Sequence, residues 1–189
     1  MIGISDNPKA FALFVMGEDE SNSPYFEAIP LEQKSVRKFD YQQDLTNLIQ
    51  TYFKSHDMGH LQQMFEKIVV FGVGIGAVIA NEIAHRYGLR ALLINPDIGD
   101  KTLPFQLTNT QSVHVMIEEE MADFSKQNYE QFFAQAPKNL EVEFVRGDCY
   151  GVGGELQMAV ADLAECSWAW IDDATWYSED GVSTENGKK

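Results

Sequence analysis

Short, strongly apolar runs alternate with stretches whose apolar residues recur at helical spacing, from Phe11 to about Trp176. Six runs read as strands: Phe11 to Met16, Ser35 to Phe39, Lys67 to Phe71, Ala91 to Asn95, Leu140 to Val145 and Cys166 to Ile171. The third contains the unbroken string Ile68-Val69-Val70-Phe71 and should lie at the centre of a sheet, covered on both faces. Between the strands, Leu45, Leu48, Ile49 and Tyr52 stand at i, i+3, i+4 and i+7, with Asp44 placed to cap that helix. Ala80, Ile83, Ala84 and Tyr87 repeat the spacing, as do Leu156, Ala159, Val160 and Leu163. Ser112 to Gln135 also reads as helical, with Glu118, Glu119 and Glu120 on its wet face; Gly88 ends the helix before it and Pro137 precedes the fifth strand. Alternation of this kind predicts an α/β fold: three layers, with a mainly parallel six-stranded sheet and helices on both faces. Connection rules favour the strand order 2-1-3-4-5-6.

No long Pro, Gly or Ser linker divides the chain, so residues 1–177 form one expected domain and 178–189 a loose, polar, acidic tail. Fourteen Lys and Arg against 29 Asp and Glu give a net charge of −15, which repels phosphate backbones and anionic lipid and so argues against nucleic-acid and membrane partners. From Glu141 onward there are eleven acids and three bases, a surface that a basic protein partner could use. Met1 to Lys9 has neither the basic start nor the apolar stretch of a secretion signal, and Cys149 and Cys166 make no disulfide framework. The expected compartment is a reducing cytoplasm.

The chemistry concentrates at Gly72-Val73-Gly74-Ile75-Gly76, between a strand and a helix. The spacing is that of a nucleophile elbow, G-x-S-x-G, with Gly74 in the serine position. A second reading takes Gly72, Gly74 and Ala77 as a dinucleotide fingerprint with Asp97 as the ribose acceptor. A third treats the glycines as a close-packing turn only.

Several strings together resemble the small YqiA/YcfP-type family of bacterial α/β-hydrolase-like proteins: FVMGEDESNSP at 14–24, GVGIGA at 72–77, YGLRALLINPDI at 87–98 and the stretch 145–176. The resemblance implies a compact α/β-hydrolase core. It sets the nucleophile position on Gly74, the acid on Asp148 and the histidine near Ala174 or Thr175, so two of three triad members are missing. It also makes the Ile75 amide one oxyanion donor and the loop after Gly17 the source of the other.

A non-catalytic hydrolase-fold protein that binds a partner or small ligand is therefore the leading expectation, with no cofactor. The alternative is an esterase or thioesterase using Cys149 as nucleophile or a water activated by Asp148. Cys149 has an acidic neighbour that disfavours its thiolate. Trp176 lies beside the vacant histidine position and can fill a collapsed pocket or stack on a ligand; Trp168, Trp170 and Cys166 read as core. His56, Asp57 and His60 form the sharpest metal pattern, but no third His or Cys stands near them in sequence, so they read as ordinary loop and cap residues and the expected metal content is none. His85 and His114 read as helix-surface residues, His114 being the first alternative base for the elbow.

Overall fold

A computed structural model describes residues 10–17, 23–55, 58–99, 103–120, 122, 124–151 and 154–164. The elements in chain order are β1 (Ala10–Gly17), α1 (Pro24–Ala28), β2 (Lys34–Phe39), α2 (Leu45–Ser55), α3 (Met58–Met64), β3 (Lys67–Val73), α4 (Ile75–Tyr87), β4 (Arg90–Ile94), β5 (Val113–Glu118), α5 (Lys126–Phe133), β6 (Leu140–Val145) and α6 (Glu155–Ala164). The six strands form one sheet in the order β2-β1-β3-β4-β5-β6, and every neighbouring pair is parallel. As its composition predicts, β3 is interior, with Val69, Val70 and Phe71 fully buried.

Strand alternation sorts the core into two layers. Phe11, Leu13 and Val15 of β1 face α2 and α4, whereas Ala12, Phe14 and Met16 face α1 and α6. The three helices expected from their spacing all pack on the sheet. Asp44 caps α2 through its carboxylate, which accepts the Asn47 amide at 3.2 Å, and Gly88 closes α4 in the left-handed conformation.

One segment folds differently from its sequence reading. Val113 to Glu118 is a strand, not the start of a helix, and it pairs with β4 on one side and β6 on the other. Its β-branched Val113, Val115 and Ile117 alternate, and that period-two signal outranks the helical run that follows it. The consequence is large for Glu118, which is fully buried instead of wet. The strand written fifth from sequence, Leu140 to Val145, is thus the sixth of the sheet, so the strand order agrees while its last two members differ. The sequence-predicted strand Cys166 to Ile171 lies outside the described residues.

The β4 to β5 connection, residues 95–112, is pinned to α4 by a buried polar network. Asn81 Nδ2 donates to the Gln106 carbonyl at 2.9 Å, and its Oδ1 accepts from Asn109 Nδ2 at 2.8 Å. Glu82 takes Arg86 Nε at 2.6 Å and Gln106 Nε2 at 2.9 Å. Asn81→Ala removes both bonds while Asn109 Nδ2 keeps its own 3.2 Å bond to the Gln106 carbonyl, so urea denaturation should show a loss of about 1–2 kcal/mol with little change in the slope.

Candidate functional site

The carboxyl ends of β1, β3, β4 and β5 converge on the glycine turn. Gly74 is the N-cap of α4 at φ 57 and ψ −123, a conformation costly for any residue but glycine. Its amide donates to the Ile94 carbonyl at 3.0 Å, and its carbonyl accepts from the Ala77 and Asp97 amides, each at 3.2 Å. The flanking glycines serve a different need. A Cβ on Gly72 would collide with the Gly76 carbonyl, and one on Gly76 would meet the Val15 carbonyl oxygen at 2.8 Å and Tyr41 Oη at 3.0 Å. At Gly74 a Cβ would meet nothing within 4 Å among the described residues. Strand and helix therefore approach closely through Gly72 and Gly76, while no described residue crowds the position between them.

Register carries Gly17 into the same neighbourhood. Val15 of β1 is level with Gly72 of β3, and Gly17 ends β1 two residues beyond that pair on the same edge as the turn. Ile75 opens α4, and its amide belongs to the first helical turn, which has no intrahelical acceptor. The loop that follows Gly17 lies outside the described residues. So do His56, Asp57, Cys166, Trp168, Trp170, Ala174, Thr175 and Trp176.

Sequence reasoning missed the densest polar feature at this edge. Glu118, at the end of β5, holds a carboxylate with no exposure. Its Oε2 accepts from Tyr25 Oη at 2.8 Å and Asn95 Nδ2 at 2.7 Å, and its Oε1 accepts from the Cys149 amide at 2.8 Å. Asn95 also takes the Glu118 amide on its Oδ1 at 2.8 Å and sits at φ 45, a left-handed conformation that asparagine tolerates better than most residues. The findable signal was the alternation before Glu118, since a carboxylate at the end of an interior strand must be buried and paired.

Cys149 is fully buried beside that carboxylate. Burial raises its thiol well above the usual range, and the charge and hydrogen bonding of Glu118, followed by the charge of Asp148, add to the rise. Tyr25 is raised for the same reasons, burial first and Glu118 second. Asp148 is half-buried, and its Oδ1 is shielded from solvent with no hydrogen-bond partner among the described residues. That oxygen lies against Gly151, where a Cβ would collide with it.

The remaining candidates separate from the elbow. His114 is on a strand rather than a helix surface, with Nε2 3.0 Å from Glu143 and Nδ1 3.9 Å from Glu141. It stands four residues before Glu118, about 13 Å back along β5. It therefore does not face the elbow. Two surface cavities of about 280 and 400 Å³ share Arg90 and open at the sheet's amino edge, near His114 and Lys67 respectively. Asp97, the acceptor in the dinucleotide reading, turns its Oδ1 back to the Gly99 amide at 3.1 Å, and Ala77 is buried in the core. Among the described residues no group of three or more His, Cys, Asp or Glu is placed to hold a metal ion.

A raised thiol fixes both a reactivity and a pH dependence. Native protein at pH 8 should react with a disulfide reagent at Cys149 only after urea is added; rapid native labelling at that position contradicts its burial. Below about pH 8.5 the thiol is protonated in both states, whereas above it the unfolded chain ionises and the native chain does not. Stability should thus fall as pH rises beyond 9, and less steeply in Cys149→Ala, as followed by thermal melts.

The family model "Uncharacterised protein family (UPF0227)" matches residues 27–176. No curated protein matches the sequence. Among solved structures, the chain is similar to Est1E from Butyrivibrio proteoclasticus, at 12% identity and TM-score 0.58, covering 89% of this chain and 91% of that one. An alpha-beta serine hydrolase homologue from Coxiella burnetii matches at 12% identity and TM-score 0.54, covering 83% and 84%. A protein of unknown function from Agrobacterium tumefaciens matches at 13% and 0.55, covering 85% and 93%. At these identities the likeness establishes the α/β-hydrolase fold, and no helix of the described residues is long and apolar enough to cross a membrane. With a family model spanning most of its length and the glycine elbow in its expected place, this chain belongs to the UPF0227 family and has an α/β-hydrolase fold.

Proposed function

We propose that the protein is a non-catalytic member of the hydrolase fold that binds a small ligand or a protein partner, in the cytoplasm, at the carboxyl edge of its sheet or through its acidic C-terminal region. The observation that supports this most is Gly74. The elbow backbone keeps its strained shape and no described residue lies within 4 Å of a Cβ there, yet Gly74 itself carries no hydroxyl to attack a carbonyl. Cys149 is the nearest alternative nucleophile in the sequence reading, and its thiol is buried and held protonated. Without a nucleophile, the backbone donors can still receive an ester or carboxylate oxygen, which is a binding function.

A second reading has one observation in its favour. The shielded Oδ1 of Asp148 lacks a hydrogen-bond partner among the described residues, and such an oxygen could take a proton from a bound water in an esterase or thioesterase.

A panel of p-nitrophenyl esters and acyl thioesters separates the two. Wild type should hydrolyse every member at the buffer rate. Turnover above buffer that disappears in Asp148→Asn or Cys149→Ser would overturn the non-catalytic reading. Gly74→Ser should remain folded, since no described residue crowds its Cβ, but lose about 1–3 kcal/mol to the positive φ and gain at most a trace of ester hydrolysis. Thermal melts and the same ester assay check both parts. For the acidic region, neutralising Glu179, Asp180 and Glu185 together should weaken recovery of a basic protein partner from lysate.

A further inference from the structure

The two cavities at the sheet's amino edge lie opposite the glycine elbow and take no part in the site described above. The first, of about 280 Å³, is bounded by the starts of β4, β5 and β6 and by the end of α6; the second, of about 400 Å³, by α3 and the starts of β3 and β4. Arg90, the first residue of β4, lines both. Side-chain bonds hold these walls in shape. Asn139 Nδ2 donates to the Asn109 and Gln111 carbonyls at 2.7 and 2.8 Å, which ties the entry of β5 to that of β6. Arg90 Nη1 donates to the Leu163 carbonyl, so its guanidinium also closes the last turn of α6.

The charged groups of the first cavity differ in depth. Arg90 is half-buried, whereas Lys138, Glu141 and Asp162 are exposed. A guanidinium presents a planar fork of donors that matches a carboxylate, so the deeper group selects an anion of that shape. The two carboxylates at the rim oppose a simple anion and favour a ligand that carries an ammonium beside its carboxylate. Asp162 comes one residue before the carbonyl that holds Arg90, so the two opposite charges share one wall. Ser112 and Asn139 on the first cavity, with Gln62 and Gln111 on the second, add hydrogen-bonding groups suited to a hydrophilic side chain. We propose that this edge is a second ligand site, for a free hydrophilic α-amino acid, with its carboxylate at Arg90, its ammonium at Asp162 and Glu141, and its side chain reaching into the second cavity.

Titration of the full chain with L-glutamine, followed by backbone amide NMR, tests this assignment. Shifts should concentrate at residues 90, 111–114 and 138–141, with a Kd of about 1 mM or below. Succinate, which lacks the ammonium, and putrescine, which lacks the carboxylate, should each bind about tenfold more weakly or not at all. Arg90→Lys keeps the charge but loses the fork, and should weaken glutamine binding about tenfold, with a thermal melt to confirm folding. Because Arg90 also holds α6, a second variant leaves that bond untouched. Glu141→Gln combined with Asp162→Asn alters exposed side chains only; it should weaken glutamine by about tenfold and leave succinate no weaker than before. No shifts up to about 20 mM glutamine, shifts confined to the carboxyl edge, succinate binding as tightly as glutamine, or unchanged affinity in the rim variant overturns the assignment.

Discussion

A buried carboxylate at the end of β5 ties three separate segments to one point of the sheet's carboxyl edge. An isolated charge in an apolar interior is too costly to persist, so Glu118 requires donors, and each donor it has recruited comes from a different part of the chain. Tyr25 brings α1, Asn95 brings the end of β4, and Cys149 brings the loop after β6. Asn95, in a left-handed backbone conformation, donates one of these bonds and accepts the Glu118 amide as well, placing strain one residue beyond Ile94, whose carbonyl holds Gly74. Breaking one of these contacts therefore leaves a buried charge under-solvated and loosens an edge on which four strand ends depend.

The elbow shows how scaffold and chemistry can part. Gly72 and Gly76 are fixed by contact, because any side chain there drives strand and helix apart. Gly74 is fixed by its dihedral angles, with no contact to a Cβ there among the described residues. A side chain at Gly74 costs backbone strain and returns stability only through what it binds, whereas the flanking positions are required by packing. Glycine at such a position avoids the strain and leaves the fold intact.

Most of the architecture was legible because sheet and helix periods differ. The central strand, the three amphipathic helices, the Asp44 cap and the glycine elbow all follow from spacing and small-residue placement. The error at Val113 to Glu118 arose where a strand runs directly into acidic residues and then a helix, so a helical period could be drawn through both. It hid Glu118, because exposure of a carboxylate is decided by what flanks the strand end and not by the residue itself. Neither the two bonds from Asn95 nor the inward turn of Asp148 has a local sequence signature. Both depend on contacts between segments more than 20 residues apart or on the shape of a loop. Family resemblance supplied the fold and the elbow, but carried acid and base positions to the final third of the chain, where part of the stretch lies outside the described residues.

The account is most directly tested by the energetic coupling between Asn95 and Glu118. A double-mutant cycle with Asn95→Ala and Glu118→Gln, read by urea denaturation at pH 7, should give a coupling of about 1–3 kcal/mol, because the two side chains satisfy each other in a buried setting. Two losses that simply add would contradict it, since they would mean that Glu118 holds the edge together through no specific partner.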